Sequence, residues 1–122
     1  MKKITMQTEI KNRVNQEQIQ KVCMEIVHNF GPEKVILFGS YAYGMPTGDS
    51  DVDLLVIMPY VGNELQKMAD VRKSIRSRFP LDVLVKTPEQ IKQRLAAGDF
   101  FVREIIEKGV VLYESGDLGV GK

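Results

Sequence analysis

The sequence has one cysteine, one histidine and no apolar run long enough to cross a membrane. One cysteine cannot form an internal disulfide, which is consistent with a reducing compartment. His28 has no second histidine with which to build a zinc site. The first residues lack the apolar segment of a secretion signal, so we expect a cytoplasmic protein with no membrane association.

A strong charge of either sign is also missing. Seventeen Lys and Arg residues face sixteen Asp and Glu residues, a net charge of +1, so no global field draws the chain onto nucleic acid. The most basic stretch, residues 72–78, has no interleaved aromatic residues, and we interpret it as a solvated helix face. We therefore expect no direct nucleic-acid binding, with a patch for RNA or an acidic partner as the alternative.

Helical and strand-like patterns alternate along the 122 residues, which predicts an α/β fold in a single domain. We expect residues 1–14 to be an N-terminal segment without assigned structure, 15–113 to form the domain and 114–122 to be a flexible tail. Predicted strands cover 35–38, 54–58, 81–85 and 110–113. Predicted helices begin at the N-caps Asn15, Asn63, Thr87 and Asp99, and the second extends to Phe79, before Pro80, with Leu65 facing inward.

The most informative motif lies between the first two predicted strands. Gly39 and Ser40 end the first strand, and after ten residues Asp51 and Asp53 precede the second. Because side chains alternate along a strand, the two carboxylates should point the same way, with α-carbons roughly 6.5–7 Å apart. Their repulsion favours a neutralising cation, and oxygen ligands favour Mg2+ or Mn2+.

Gly39 and Ser40 have the properties of a phosphate site. A glycine after a buried strand allows a sharp turn and a close approach to a ligand, while a serine offers a hydroxyl and an amide. If Ser40 opens a short helix through Tyr41 and Ala42, its first amides also face the phosphate. The motif thus combines phosphate and metal binding, which chemistry on a nucleoside triphosphate requires.

The acidic cluster also has two other interpretations, a calcium loop and a solvated turn. A calcium loop beginning at Asp49 needs glycine at its sixth position and glutamate at its twelfth, where this chain has Leu54 and Tyr60. That excludes a calcium loop. A solvated turn followed by an ordinary strand remains the alternative to a metal site.

The motif resembles the signature of the nucleotidyltransferase superfamily that includes DNA polymerase beta. The resemblance covers residues 15–113 and rests on Gly39-Ser40, on Asp51-Val52-Asp53-Leu54-Leu55-Val56 and on Asp82 inside the apolar run 81–85. In length the chain is similar to the minimal nucleotidyltransferases, or MNT proteins, many of which are antitoxins of HEPN-domain ribonuclease toxins. The resemblance implies a small mixed sheet covered by helices.

The same resemblance implies a mechanism. Asp51 and Asp53 would hold one Mg2+ on ATP and share a second with Asp82, while Gly39 and Ser40 bind the outer phosphates. The product would be AMP joined to a hydroxyl of a partner protein, a HEPN toxin. The alternatives are an antitoxin that acts by binding alone and a nucleotidyltransferase for a small molecule or RNA. The oligomeric state stays open.

The loop after Ser40 departs from the family pattern. Many relatives carry two arginines where this chain has Tyr41 and Tyr43, so two cationic phosphate contacts are missing. The tyrosines could stack on a base or accept a nucleotide, or they could simply cover the edge of the site. Lys86 is a candidate phosphate contact, with a strand-end lysine exposed to solvent as the alternative.

Overall fold

The computed structural model describes residues 14–118. Within that range the chain forms four α-helices and four strands, followed by one turn of 3-10 helix at Ser115–Leu118. In chain order the elements are α1 Gln16–Phe30, β1 Lys34–Phe38, β2 Val52–Ile57, α2 Glu64–Ser74, β3 Leu81–Lys86, α3 Pro88–Ala96, α4 Phe100–Lys108 and β4 Val110–Glu114.

The strands form one mixed sheet in the order β3-β2-β1-β4. β1 is antiparallel to β2 and to β4, whereas β2 and β3 are parallel. Parallel neighbours need a crossover connection, which α2 supplies. β1 therefore ends where β2 and β3 begin, at one end of the strands. We call this end of the sheet the site edge. The predicted fold class, a small mixed sheet covered by helices, is confirmed.

Alternation along the strands builds two cores, one on each face of the sheet. Val35 and Leu37 of β1 pack on the face covered by α1 and α2. Ile36 and Phe38 pack on the opposite face, with residues of α3 and α4. Burial of each such side chain contributes about 1.5–3 kcal/mol, so the two cores together hold the sheet rigidly between helices.

Most helix ends follow the predicted capping chemistry. The Gln18 amide donates to Oδ1 of Asn15, and the Asn15 amide donates to Oε1 of Gln18, both at 2.8 Å. This reciprocal pair is a capping box. Thr87 and Gln90 form the same arrangement before α3. Gly31 ends α1 in the left-handed conformation, with φ 57°.

The predicted second helix is too long. α2 ends at Ser74, and Ile75 is already extended, with φ −94° and ψ 126°. The Ser74 hydroxyl donates to the carbonyl of Val71 at 2.7 Å, a local bond that competes with helix continuation. Ile75 is buried from outside the helix, while Leu65, predicted to face inward, is 72% exposed. The helical spacing of apolar residues therefore continues beyond the end of α2, into the segment that leads to β3.

The ends of the chain are described only in part. β4 includes Glu114, and the turn at Ser115–Leu118 covers the start of the segment predicted to be a flexible tail. Residues 1–13 and 119–122 lie outside the described range, so the predictions for them remain predictions. Among residues 14–118, no helix combines the length and apolarity that crossing a membrane requires.

Candidate active site

Gly39 directly follows β1 at the site edge. Its φ of +77° lies in the left-handed region that favours glycine. A β-carbon at this position would collide with Oδ2 of Asp53 and would lie 3.2 Å from its Cγ. Glycine is therefore needed here twice, once for the direction of the turn and once for the space that the Asp53 carboxylate occupies.

Phe38, Asp53 and Asp82 form one row across three strands. Phe38 of β1 is paired with Asp53 of β2, and Asp53 is paired with Asp82 of β3. Paired residues on adjacent strands point to the same face, and the strands lie about 4.8 Å apart. Phe38 belongs to the core beneath α3 and α4, so both carboxylates lie on that face of the sheet. They lie at the site edge, where Asp53 is half-buried and Asp82 is exposed. The structure thus brings together two predicted site residues from separate segments.

Asp51 lies two residues before Asp53, outside the strand and exposed to solvent. The start of β2 is tied to the approach to β3, because the Val52 amide donates to the carbonyl of Pro80 at 3.0 Å. The charge of Asp51 is one of the causes that raise the pKa of Asp53, after burial and the charge of Asp82. Asp51 therefore stands at the rim of the site, beside the Asp53–Asp82 pair.

The row is electrostatically strained. Desolvation, followed by the charges of Asp82 and Asp51, raises the pKa of Asp53 from 3.8 to about 6. A hydrogen bond with the Asp82 carboxyl, which requires a shared proton, acts in the same direction. Two carboxylates in direct cross-strand register cannot both ionise without a penalty, which a bound cation would remove.

The segment after Gly39 is a turn, so Ser40 does not open a short helix. The carbonyl of Gly39 accepts from the amides of Ala42 and Tyr43 at 3.0 and 3.1 Å. The amides of Ser40 and Tyr41 precede these first internal donors, as at the start of a helix. Together with the Ser40 hydroxyl they form a small set of donors beside Asp53, suited to phosphate oxygens.

The donor set fits a Mg2+ ion shared with a substrate. Among residues 14–118, no three His, Cys, Asp or Glu side chains converge into a metal cage. Mg2+ does not require such a cage, since it usually binds one or two carboxylates together with waters and substrate phosphates. Asp53 and Asp82 would supply the carboxylates, and the donors at Ser40 would supply a place for the phosphates.

The two tyrosines of the loop point to opposite sides of the sheet. The Tyr41 hydroxyl accepts from the Val14 amide at 3.0 Å, and its ring packs against the core beneath α1. Tyr41 therefore covers the edge of the domain. Tyr43 is 40% exposed; partial burial and the neighbouring Glu104 carboxylate raise the pKa of its hydroxyl. It thus lies beside α4, on the face that carries Asp53.

Lys86 does not lie at the site. It ends β3 at the opposite edge of the sheet from Asp82, and its Nζ is 3.1 Å from both carboxylate oxygens of Glu64. It is neither a phosphate contact nor an exposed strand-end lysine. Sequence inspection missed the ion pair because its two members are separated by 22 positions.

Comparison with known proteins identifies the class to which this fold and site belong. Residues 17–112 match the family model of the nucleotidyltransferase domain. The chain belongs to this family, and the matched range contains the turn at Gly39 and all three aspartates. Nucleotidyl transfer is therefore the general chemistry of this protein, and the predicted fold of the DNA polymerase beta catalytic domain is confirmed.

Two individual relatives are consistent with this family. A "Putative protein adenylyltransferase" of Methanocaldococcus jannaschii is 31% identical over 85 residues, which cover 66% of this chain and 78% of that protein. A crystal structure of a "putative nucleotidyltransferase" from Sulfolobus solfataricus superposes with a TM-score of 0.56 at 23% identity, covering 79% of this chain and 77% of that one. The second likeness concerns the fold alone.

Proposed function

We propose that this protein transfers AMP from ATP, with Mg2+, to a hydroxyl group of a partner protein, and that the partner is a HEPN-domain toxin which the transfer neutralises. The observation that carries the proposal is the row Phe38, Asp53 and Asp82 with Gly39 against it. The half-buried Asp53 carboxylate, placed beside the exposed Asp82 carboxylate, lowers stability unless a cation joins the two. Donors for phosphate oxygens lie next to that pair.

The residues have distinct roles in this proposal. The turn at Ser40 binds the outer phosphates, so that pyrophosphate is the leaving group. Bound Mg2+ would supply charge neutralisation on the triphosphate and lower the pKa of the attacking hydroxyl. Asp82 orients that hydroxyl or accepts its proton, and Asp53 would hold the cation together with Asp82. The hydroxyl oxygen forms a bond to the α-phosphorus as the bond to the bridging oxygen of pyrophosphate breaks.

A macromolecular acceptor suits the openness of the site. Asp51 and Asp82 are both exposed at the site edge, so a hydroxyl on the surface of another protein can reach them. The similarity to the "Putative protein adenylyltransferase" of Methanocaldococcus jannaschii supports the same class of acceptor. The resemblance to MNT antitoxins adds the HEPN toxin as the specific partner.

The test is transfer to the product of the neighbouring gene. The purified protein, ATP and Mg2+ are incubated with that product, whose intact mass is then measured. We expect an increase by one or more AMP units with the wild type and none with Asp53→Asn or Asp82→Asn. Asp49→Asn is the matched control, because it removes the same charge from an exposed position in the loop before β2. It should transfer AMP at the wild-type rate.

The outcomes separate the alternatives. An unmodified toxin that is still inhibited, equally by wild type and by the Asp53→Asn/Asp82→Asn double variant, would show neutralisation by binding alone. Transfer to RNA or to a small molecule in a cell extract, with no change in the toxin, would retain the enzyme but refute the protein acceptor. Undiminished transfer by either single variant would refute the assignment of the catalytic pair.

A further inference from the structure

An aromatic surface adjoins the carboxylate row at its β1 end. The ring of Phe101 packs edge-on against Phe38, with centroids 5.8 Å apart and an angle of 84° between the planes. Phe38 is 8% exposed, whereas Phe101 is 55% exposed. Phe38 is therefore a buried support, and Phe101 presents ring surface to solvent.

The position of α4 explains why this ring stays exposed. Both ends of the helix meet the last residues of β1: Phe101 contacts Phe38, and Gly109 lies so close to Ile36 that a β-carbon there would be 2.6 Å from its Cγ2. Between these contacts Ile105 is buried. The helix thus crosses the sheet beside the site edge and leaves Phe101 at its first turn, next to the row that contains Asp53.

Tyr43 borders the same surface from the loop side. Its hydroxyl is close to Glu104 and to the backbone of Gly39. Glu104 lies three residues after Phe101 and hence on the same side of α4. Tyr43 and Phe101 therefore flank the turn whose amides face the phosphate position. We call Phe101, which Phe38 supports from beneath, together with Tyr43 the aromatic platform.

We propose that the aromatic platform binds the base of the nucleotide donor by stacking, with Phe101 as the main contact. The inference rests on the proposed function, because it places the triphosphate at Ser40 and Asp53. The aromatic surface is continuous with that site. The base of a nucleotide whose phosphates lie at Ser40 and Asp53 can therefore reach it. A planar, largely apolar surface suits a ring face, and every base has one, so ring area should matter more than the identity of the exocyclic groups. Purine triphosphates should bind more tightly than pyrimidine triphosphates.

The experiment compares ATP with inorganic tripolyphosphate, each titrated calorimetrically with Mg2+ present. The two ligands share the phosphates and differ in the nucleoside, so the ratio of their affinities isolates the contribution of the base and sugar. We expect Phe101→Ala to weaken ATP binding roughly 5- to 100-fold, the range that one stacked base supplies, and to leave tripolyphosphate binding unchanged. Phe101→Leu keeps apolar contact with Phe38 and should show most of the same loss of ATP affinity. Phe101→Tyr keeps an aromatic ring and should bind ATP with nearly wild-type affinity.

Phe100→Ala is the matched control. This neighbouring ring is 82% exposed and lies one position away on α4, outside the contact with Phe38. Its removal should change neither affinity. If it lowers ATP affinity as much as Phe101→Ala does, the assignment to Phe101 is wrong.

The results distinguish failure of this inference from failure of the proposed function. If the wild type binds neither ligand, the proposed function fails and the inference fails with it. If the wild type binds both and Phe101→Ala changes nothing, the phosphate site stands and the aromatic platform is refuted. A parallel loss of both ligands in Phe101→Ala and Phe101→Leu would show that the ring only supports the fold. Intact ATP binding with loss of AMP transfer would assign the surface to the acceptor protein instead.

Discussion

Replacement of Gly39 by alanine is the sharpest perturbation that the structure offers. The new β-carbon would meet Oδ2 of Asp53, and the residue would keep a positive φ that alanine adopts only with strain. The left-handed conformation costs about 1–2 kcal/mol for a residue with a β-carbon. Displacing the Asp53 side chain from its rotamer adds about 0.5–1.5 kcal/mol. We expect a total loss of about 1.5–3.5 kcal/mol, which a domain stable by about 5–15 kcal/mol tolerates.

Gly31→Ala provides the matched control. Gly31 also has a positive φ, +57°, but a β-carbon there has open space, and the residue lies at the edge of the sheet opposite the site. It should lose only the backbone term of about 1–2 kcal/mol. Urea unfolding of both variants, with m-values compared, measures the difference.

Activity should separate the two variants more strongly than stability does. A displacement of about 1 Å at a reacting centre can cost roughly 100-fold in rate. We therefore expect Gly39→Ala to lose Mg2+-dependent nucleotide transfer by about that factor, measured on folded protein, and Gly31→Ala to retain it. Equal stability and equal transfer in the two variants would show that Gly39 has no special relation to Asp53.

Three further predictions concern single groups. In the presence of a chelator Asp53→Asn should be more stable than the wild type at pH 7.5, by up to about 2–3 kcal/mol, because the folded state raises the pKa of Asp53 to about 6. The sign follows from linkage: the folded state binds the proton more tightly, so the advantage of the variant should shrink as the pH falls through 6 towards 4, and unfolding curves at several pH values check this. Cys23 is fully buried and its pKa is raised to about 11 by desolvation, so it should react with a thiol reagent only at the rate of unfolding, as a reaction followed with and without urea would reveal. Lys86→Met should leave nucleotide transfer per folded molecule unchanged while lowering the unfolding free energy by about 1–3 kcal/mol through the loss of the Glu64 pair, and a drop in transfer would return Lys86 to the phosphate site.

The sheet and its helices were predictable because local signals agreed with the final packing. The apolar runs ending at Phe38 and beginning after Asp53 are too apolar for anything but buried strands, and both became strands of the central sheet. The Asn15 and Thr87 capping boxes also formed as expected. In each case propensity, capping and burial favour the same structure.

Other features depend on the arrangement of strands, which no local pattern contains. The family resemblance implied that Asp53 and Asp82 meet, but their pairing results from parallel register between segments separated by an entire helix, which no local pattern shows. The early end of α2 results from burial of Ile75 outside the helix, although its spacing also fits a helical stripe. The contact between Phe101 and Phe38 was not predicted either, since sequence separation hides the crossing of α4 over β1. The one feature of the sequence that indicated an aromatic contact at the site was Phe38, directly before Gly39.

The site concentrates features that each oppose folding. Aspartate is a poor strand residue, Gly39 carries the greatest conformational entropy in the unfolded chain, and Asp53 and Asp82 repel each other across the strands. In the described part of the chain the fully buried side chains are apolar, and Asp53 is half-buried among them. A protein that acts by surface contact alone gains nothing from such a row, whereas a nucleotidyltransferase requires carboxylates held ready for a cation. Stabilisation of the Asp53→Asn variant together with its loss of transfer would therefore be the combined signature of a catalytic site, and loss of stability in that variant would contradict it.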